Sequence, residues 1–194
     1  MRFFVALLPP ADVVRDLAAA IAALPGDSRP EEAVAALRWT SPDRWHVTLA
    51  FLGTVDPGVR AGLAERLGRV AHRHPPVELR VDGAGQFGQR VLWARVAGDL
   101  RPLATGVRRA AIRAGAADGD DRPLRAHLTL ARVRPGADVG LRELAGAVDQ
   151  TLGRAAVPLS WTARAMTLMS SSGGSAPVYS IEGEWDLRGS SAGR

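Results

Sequence analysis

Apolar residues recur along this chain with two periods, one of two residues and one near three and a half. The switches between them divide it into strands and helices. Arg2–Leu8 reads as a strand. From Pro10 the stripe Val13, Val14, Leu17, Ile21 and Leu24 predicts a helix closed by Pro25-Gly26, with a loop over 26–36. Leu37–Thr40 and Trp45–Gly53 predict two strands flanking the turn Ser41-Pro42-Asp43-Arg44. Asp56-Pro57 fit the cap and first position of a second helix, whose stripe is Val59, Leu63, Leu67 and Val70.

Val77, Leu79 and Val81 then alternate with Glu78, Arg80 and Asp82, the pattern of a strand with one wet face. Gly83–Arg90 reads as a hairpin connection into a strand at Val91–Val96. A third helix turns Leu100, Leu103, Val107 and Ala111 inward, and a polar loop over Gly115–Pro123 leads to another strand. A fourth helix carries Leu141, Leu144, Val148 and Leu152. Two long strands, Val157–Met169 and Val178–Leu187, close the pattern around a loop over Ser170–Ala176, and 188–194 reads as a loose tail. The element order runs through much the same series twice. It predicts an α+β fold of residues 1–187, bilobal, with two pseudo-symmetric lobes of mainly antiparallel sheet, outer helices and a central cleft.

One tetrapeptide occurs in both halves: His46-Val47-Thr48-Leu49 and His127-Leu128-Thr129-Leu130, 81 residues apart. Strand alternation puts each His and Thr on one face and the intervening apolar residues on the other. Two imidazoles on facing walls form an acid–base pair, because imidazole is the side chain whose unperturbed pKa lies closest to neutrality. In-line displacement at phosphorus needs its acid and base on opposite sides of the phosphorus atom. The threonine hydroxyls then stand beside the non-bridging oxygens. Core packing accounts for one such histidine more readily than for two in matching frames. A zinc or iron shell is short of ligands, since neither motif carries carboxylates or further histidines. No metal or cofactor is therefore expected. His72 and His74, beside Pro75-Pro76, read as caps at a helix C-terminus.

Composition narrows the setting more than the chemistry. The 194 residues are 46% hydrophobic and 23% charged, with no cysteine to form disulfides or act as a nucleophile. No apolar run approaches the length of a membrane span. The opening Met1–Pro10 has too short an apolar stretch for a signal peptide and no small-residue cleavage site. A cytoplasmic monomer is the expectation. Net charge is +5, and every basic residue is arginine; a GC-rich genome explains that usage, while guanidinium forks also suit phosphate. Phe51 shares the parity of Val47 and Leu49 and reads as core, as do the five tryptophans. Phe87 is a candidate for stacking on a base, and Tyr179 for lining the cleft.

The segments Trp45-His-Val-Thr-Leu-Ala-Phe-Leu-Gly53 and Pro123-Leu-Arg-Ala-His-Leu-Thr-Leu-Ala-Arg132, with the opening Arg2-Phe-Phe-Val-Ala-Leu, resemble the 2H phosphoesterase superfamily. Within it the similarity is to the LigT-like branch of RNA 2′,3′-cyclic phosphodiesterases, and it extends to about residue 187. The resemblance implies hydrolysis of a 2′,3′-cyclic phosphate at an RNA 3′ end to a 2′-phosphomonoester. It makes His46 the proton donor to O3′ and His127 the acceptor that activates water, with Thr48 and Thr129 on the phosphate. Arg132 matches a basic residue that comes after the second motif in such proteins. Plain alternation sets it opposite His127, so its role requires the strand to end or bulge; Arg125 has the right parity as a substitute. Ala126 stands where the family has proline. Other activities of the superfamily, on 2′-5′ linked oligonucleotides or small cyclic nucleotides, and a non-catalytic RNA-end-binding role are the alternatives.

Overall fold

Two antiparallel sheets share one continuous apolar core. The structure is a computed structural model and describes residues 1–24, 35–116, 123–154, 159–173 and 177–190. The strands are β1 (Arg2–Leu7), β2 (Leu37–Trp39), β3 (Val47–Gly53), β4 (Val77–Phe87), β5 (Val91–Ala97), β6 (His127–Val133), β7 (Ser160–Ala163), β8 (Ala165–Ser172) and β9 (Val178–Asp186). The helices are α1 (Ala11–Ala22), α2 (Arg60–Arg73), α3 (Arg101–Ala114) and α4 (Leu141–Gly153). One sheet has the order β3-β1-β8-β9 and the other β2-β6-β5-β4-β7.

Each helix buries the stripe its sequence spaces along one face. Val13, Leu17 and Ile21 of α1, Leu63, Leu67 and Val70 of α2, Leu103, Val107 and Ala111 of α3, and Leu141, Leu144 and Val148 of α4 all enter the core. Two of these helices cross over: α1 leaves the four-stranded sheet to join α4, and α3 leaves the five-stranded sheet to join α2. α2 and α3 pack on each other and cover the four-stranded sheet at β9 and β3, whereas α4 covers β4 and β5, with α1 against it. Asp56 caps a short 3-10 turn, Pro57–Val59, by accepting the Gly58 N–H, and α2 comes directly after it. α3 ends at Gly115 in the left-handed region (φ 73°), where glycine carries no Cβ penalty.

Several sequence expectations need correcting. The stretch read as one strand over 157–169 is two strands in different sheets. β7 pairs with β4 at the edge of the five-stranded sheet, and β8 pairs with β1 and β9 in the four-stranded sheet. The apolar parity changes across Arg164: Leu159, Trp161 and Ala163 are buried before it, and Met166 and Leu168 after it. Leu37–Trp39 and β3 likewise lie in opposite sheets, since β2 pairs with β6, and the turn between them is the 3-10 segment Pro42–Arg44. The hairpin turn expected over 83–90 shrinks to 88–90, because β4 runs to Phe87 across a bulge between Val81 and Ala84. The loose tail does not begin at 188. The Arg188 N–H donates to the Ala71 carbonyl and the Gly189 N–H to that of His74, at 3.2 and 2.9 Å. The expected loops over 26–36, 115–123 and 170–176, the Pro25-Gly26 stop and the last four residues lie wholly or partly outside the described residues.

At the β4 bulge, Gly83 has φ of 91°, and a Cβ there would press on the Asp149 carboxylate of α4, which accepts the Ala84 N–H at 2.8 Å. Gly83→Ala is therefore expected to destabilise the fold by about 1–3 kcal/mol, read as a lower urea midpoint with an unchanged slope.

Candidate active site

His46 immediately precedes β3 and His127 opens β6, and each is held by the same backbone device. His46 Nδ1 donates to the Arg44 carbonyl at 2.8 Å, and His127 Nδ1 donates to the Arg125 carbonyl at 2.6 Å. A carbonyl oxygen only accepts, so Nδ1 carries the proton in both rings and Nε2 is left to exchange one with a ligand. The bond uses the backbone of Arg125, whose side chain is exposed.

Both imidazoles are half-buried against aromatic rings. His46 lies 4.8 Å from the Phe4 centroid, at 31°, and meets Tyr179 edge-on at 5.4 Å. His127 meets Phe87 edge-on at 4.9 Å and Trp93 at 6.2 Å. Tyr179 and Phe87 thus stand at the site, as candidate lining residues should. Trp93, read from the sequence as packing, also faces it, opposite Thr129 across the β5–β6 pair. Its alternation in β5 indicated one face without saying which face the site would use.

A bulge in each motif strand resets the alternation just beyond the threonine. In β3, Ala6 faces Thr48 and Val5 faces Ala50, so Leu49 is passed over. In β6, Trp93 faces Thr129 and Leu92 faces Ala131, so Leu130 is passed over. Leu49-Ala50 and Leu130-Ala131 are consequently all buried, and the next residue returns to the face of the histidine. In β6 that residue is Arg132, which the bulge at Leu130 brings to the face of His127. In β3 it is Phe51, 50% exposed and 6.3 Å from Phe4. Its reading as core is wrong because simple parity does not survive the bulge.

Burial lowers both imidazole pKa values, and the bond to the backbone carbonyl opposes the shift. The positive charge of Arg132 lowers both as well, and the charge of His127 lowers His46. The two histidine-bearing edges and Arg132 therefore lie within electrostatic reach of one another. Thr48 and Thr129 are half-buried, and among the described residues neither hydroxyl has a hydrogen-bond partner. No group of three or more His, Asp or Glu side chains able to hold a metal ion occurs among the described residues. His74 behaves as a cap, its Nδ1 donating to the Val70 carbonyl at 2.8 Å.

Residues 11–93 match the family described as LigT like Phosphoesterase. This stretch, less than half of the chain, makes the protein similar to LigT-like phosphoesterases. An RNA 2′,3′-cyclic phosphodiesterase of Geobacillus stearothermophilus is 37% identical over 100 residues, 48% of this chain and 32% of that protein. The chain thus matches about a third of that relative's length. A Thermus thermophilus protein superposes with a TM-score of 0.74 at 24% identity, covering 97% of this chain and 99% of its own, which establishes the shared fold. E. coli LigT in its apo form superposes at 0.69 with 28% identity, covering 96% of each chain. No helix among the described residues is long and apolar enough to cross a membrane.

Because Arg132 acts on both rings, Arg132→Gln is expected to raise the pKa of each histidine, since removing a cation favours the imidazolium. Proton NMR titration of the ring Cε1–H signals reads this directly; two unmoved curves would separate Arg132 from the site.

Proposed function

We propose that this protein is a LigT-like phosphoesterase that hydrolyses a 2′,3′-cyclic phosphate at an RNA 3′ end to a 2′-phosphomonoester. The observation that carries the proposal is the matched pair of imidazoles, each committed through Nδ1 to a backbone carbonyl and coupled to the other by charge. The relatives named RNA 2′,3′-cyclic phosphodiesterase support the same substrate.

In the proposed reaction a water oxygen bonds to phosphorus as the P–O3′ bond breaks. His127 Nε2 takes the proton of the water, and protonated His46 Nε2 gives its proton to O3′. One water is consumed, and no metal or redox partner enters the balance. Thr48, Thr129 and Arg132 stabilise the charge that builds on the non-bridging oxygens, where fixed donors have their largest effect. The lowered pKa values keep the base neutral near pH 7 and make the protonated acid the scarcer form.

The roles rest on the family resemblance, and titration of the free protein is a poor test of them. The two rings interact by charge, so they titrate as a pair and an apparent value belongs to neither ring alone. The leaving group reads the roles directly. His46→Ala and His127→Ala are each expected to slow hydrolysis of a cyclic-phosphate-ended oligonucleotide by about 10²- to 10⁴-fold. A substrate with sulfur at the 3′ bridging position departs without protonation, so it restores the rate of His46→Ala and not that of His127→Ala. Restoration in the His127 variant alone reverses the two roles.

The kcat/KM profile against pH is expected to be a bell lying on the acid side of about 6.5, the ordinary imidazole value. Its low-pH limb is protonation of the base and its high-pH limb loss of the acid proton. Activity should be unchanged by EDTA and yield the 2′-phosphate; absence of hydrolysis, or a 3′-phosphate product, overturns the proposal.

A further inference from the structure

On the far side of the four-stranded sheet from His46, α2 and α3 enclose a groove of about 250 Å³. β1 fixes the two sides: Phe3, Val5 and Leu7 face the core beneath these helices, while Phe4 and Ala6 face the histidine and Tyr179. Arg66, Arg69 and Arg73 line the groove from α2, and Arg109 and Arg113 from α3. The spacings of three, four and four residues set each group on one helix face. Among the described residues only Arg69 of these five has a carboxylate partner, Glu65 on its own helix.

The concentration of charge is local. α2 holds four arginines against one acid, and α3 holds four against none. The two helices therefore carry +7, and the rest of a chain whose net charge is +5 carries −2. Arginine-rich composition alone would spread the excess over the surface. Like charges three and four residues apart on a helix oppose folding, so this arrangement is relieved by an anion with several charges. The floor is shaped as well. A Cβ at Gly106 would press on the His74 ring at 3.0 Å and on Val70 at 3.2 Å, so glycine keeps the space between the helices open.

We propose that this interhelical groove binds the phosphodiester backbone of single-stranded RNA, at a site separate from the one that holds the reacting end. The identification of the anion as RNA rests on the proposed activity. The guanidinium forks match phosphate oxygens two at a time, and a concave slot flanked by two arginine rows admits a strand, where a flat bilayer would touch only its rims. The groove has no role in the chemistry. It holds the body of a longer substrate and leaves small cyclic nucleotides unaffected.

The test uses the charge-reversed variant Arg73→Glu/Arg109→Glu/Arg113→Glu, all three at exposed positions, and fluorescence anisotropy with a labelled RNA of about 20 nucleotides, longer than single-strand grooves span. The RNA ends in an ordinary 3′-hydroxyl, so binding is read whether or not the protein hydrolyses cyclic phosphates. The variant is expected to bind at least about tenfold more weakly, with the slope of log K against log salt shallower by about 2, near 0.7 for each lost phosphate contact. Arg→Lys at the same positions keeps most of the affinity. Turnover of a nucleoside 2′,3′-cyclic phosphate stays within about twofold, because no altered residue touches the histidines. RNA affinity and salt slope unchanged in the charge-reversed variant overturn the proposal. So does a variant that loses only its binding to phosphatidylserine vesicles.

Discussion

Everything at the site depends on one hydrogen bond made twice, from an imidazole Nδ1 to the carbonyl two residues upstream. That bond decides which nitrogen faces a ligand, and it does so without a carboxylate that would hold the ring protonated. It also demands that the backbone present a carbonyl to the ring just before each strand. At His46 the 3-10 turn Pro42–Arg44 does this. At His127 the preceding residue is Ala126, whose carbonyl accepts the Val96 N–H at 3.1 Å and holds the segment against β5. This packing supplies rigidity that a proline before the histidine would have supplied through its ring.

The His-x-Thr pairing was legible because it depends only on the two-residue period of a strand. Beyond the threonine, legibility was conditional. Arg132 could join His127 only through a bulge, and the bulge is there, with the same one in β3. The signal for it was in the sequence. Both copies continue Leu-Ala, two apolar residues in succession, and such a pair in a half-buried strand either breaks the pleat or exposes a side chain. Reading that pair would have moved Phe51 out of the core and onto the face of His46.

Helices were legible for a similar reason, since four apolar stripes of the right spacing all lie buried. Strand partners were not. Alternation reports which residues share a face and is silent on which strand lies alongside, so β2 and β3 looked like neighbours and β7 and β8 looked like one strand. In both cases the chain passes from one sheet to the other within a few residues, at 40–46 and at Arg164, the latter with neither glycine nor proline to mark it. The basic groove was invisible for a different reason. No contiguous run of arginines announces it, because its charges come from two helices well separated along the chain.

Two nearly identical motifs would make a site that binds a ligand equally well in either direction. The fifth residue after each histidine breaks that symmetry. On the β6 edge it is a cation, Arg132, and on the β3 edge it is an aromatic ring, Phe51, extended by Phe4 and Tyr179 around His46. Aromatic rings flank both histidines, but the wall of His127 adds a cation and attracts charge, while the wall of His46 adds the exposed ring of Phe51, the kind of surface on which a base stacks. A ligand with a phosphate at one end and a planar group at the other is favoured in one orientation over the reverse. The same asymmetry makes the histidines unequal, since aromatic rings flank both but the cation stands on the strand of His127. A duplicated pair of imidazoles becomes a directional one through a single position in each copy, and both positions reach the site by the same bulge.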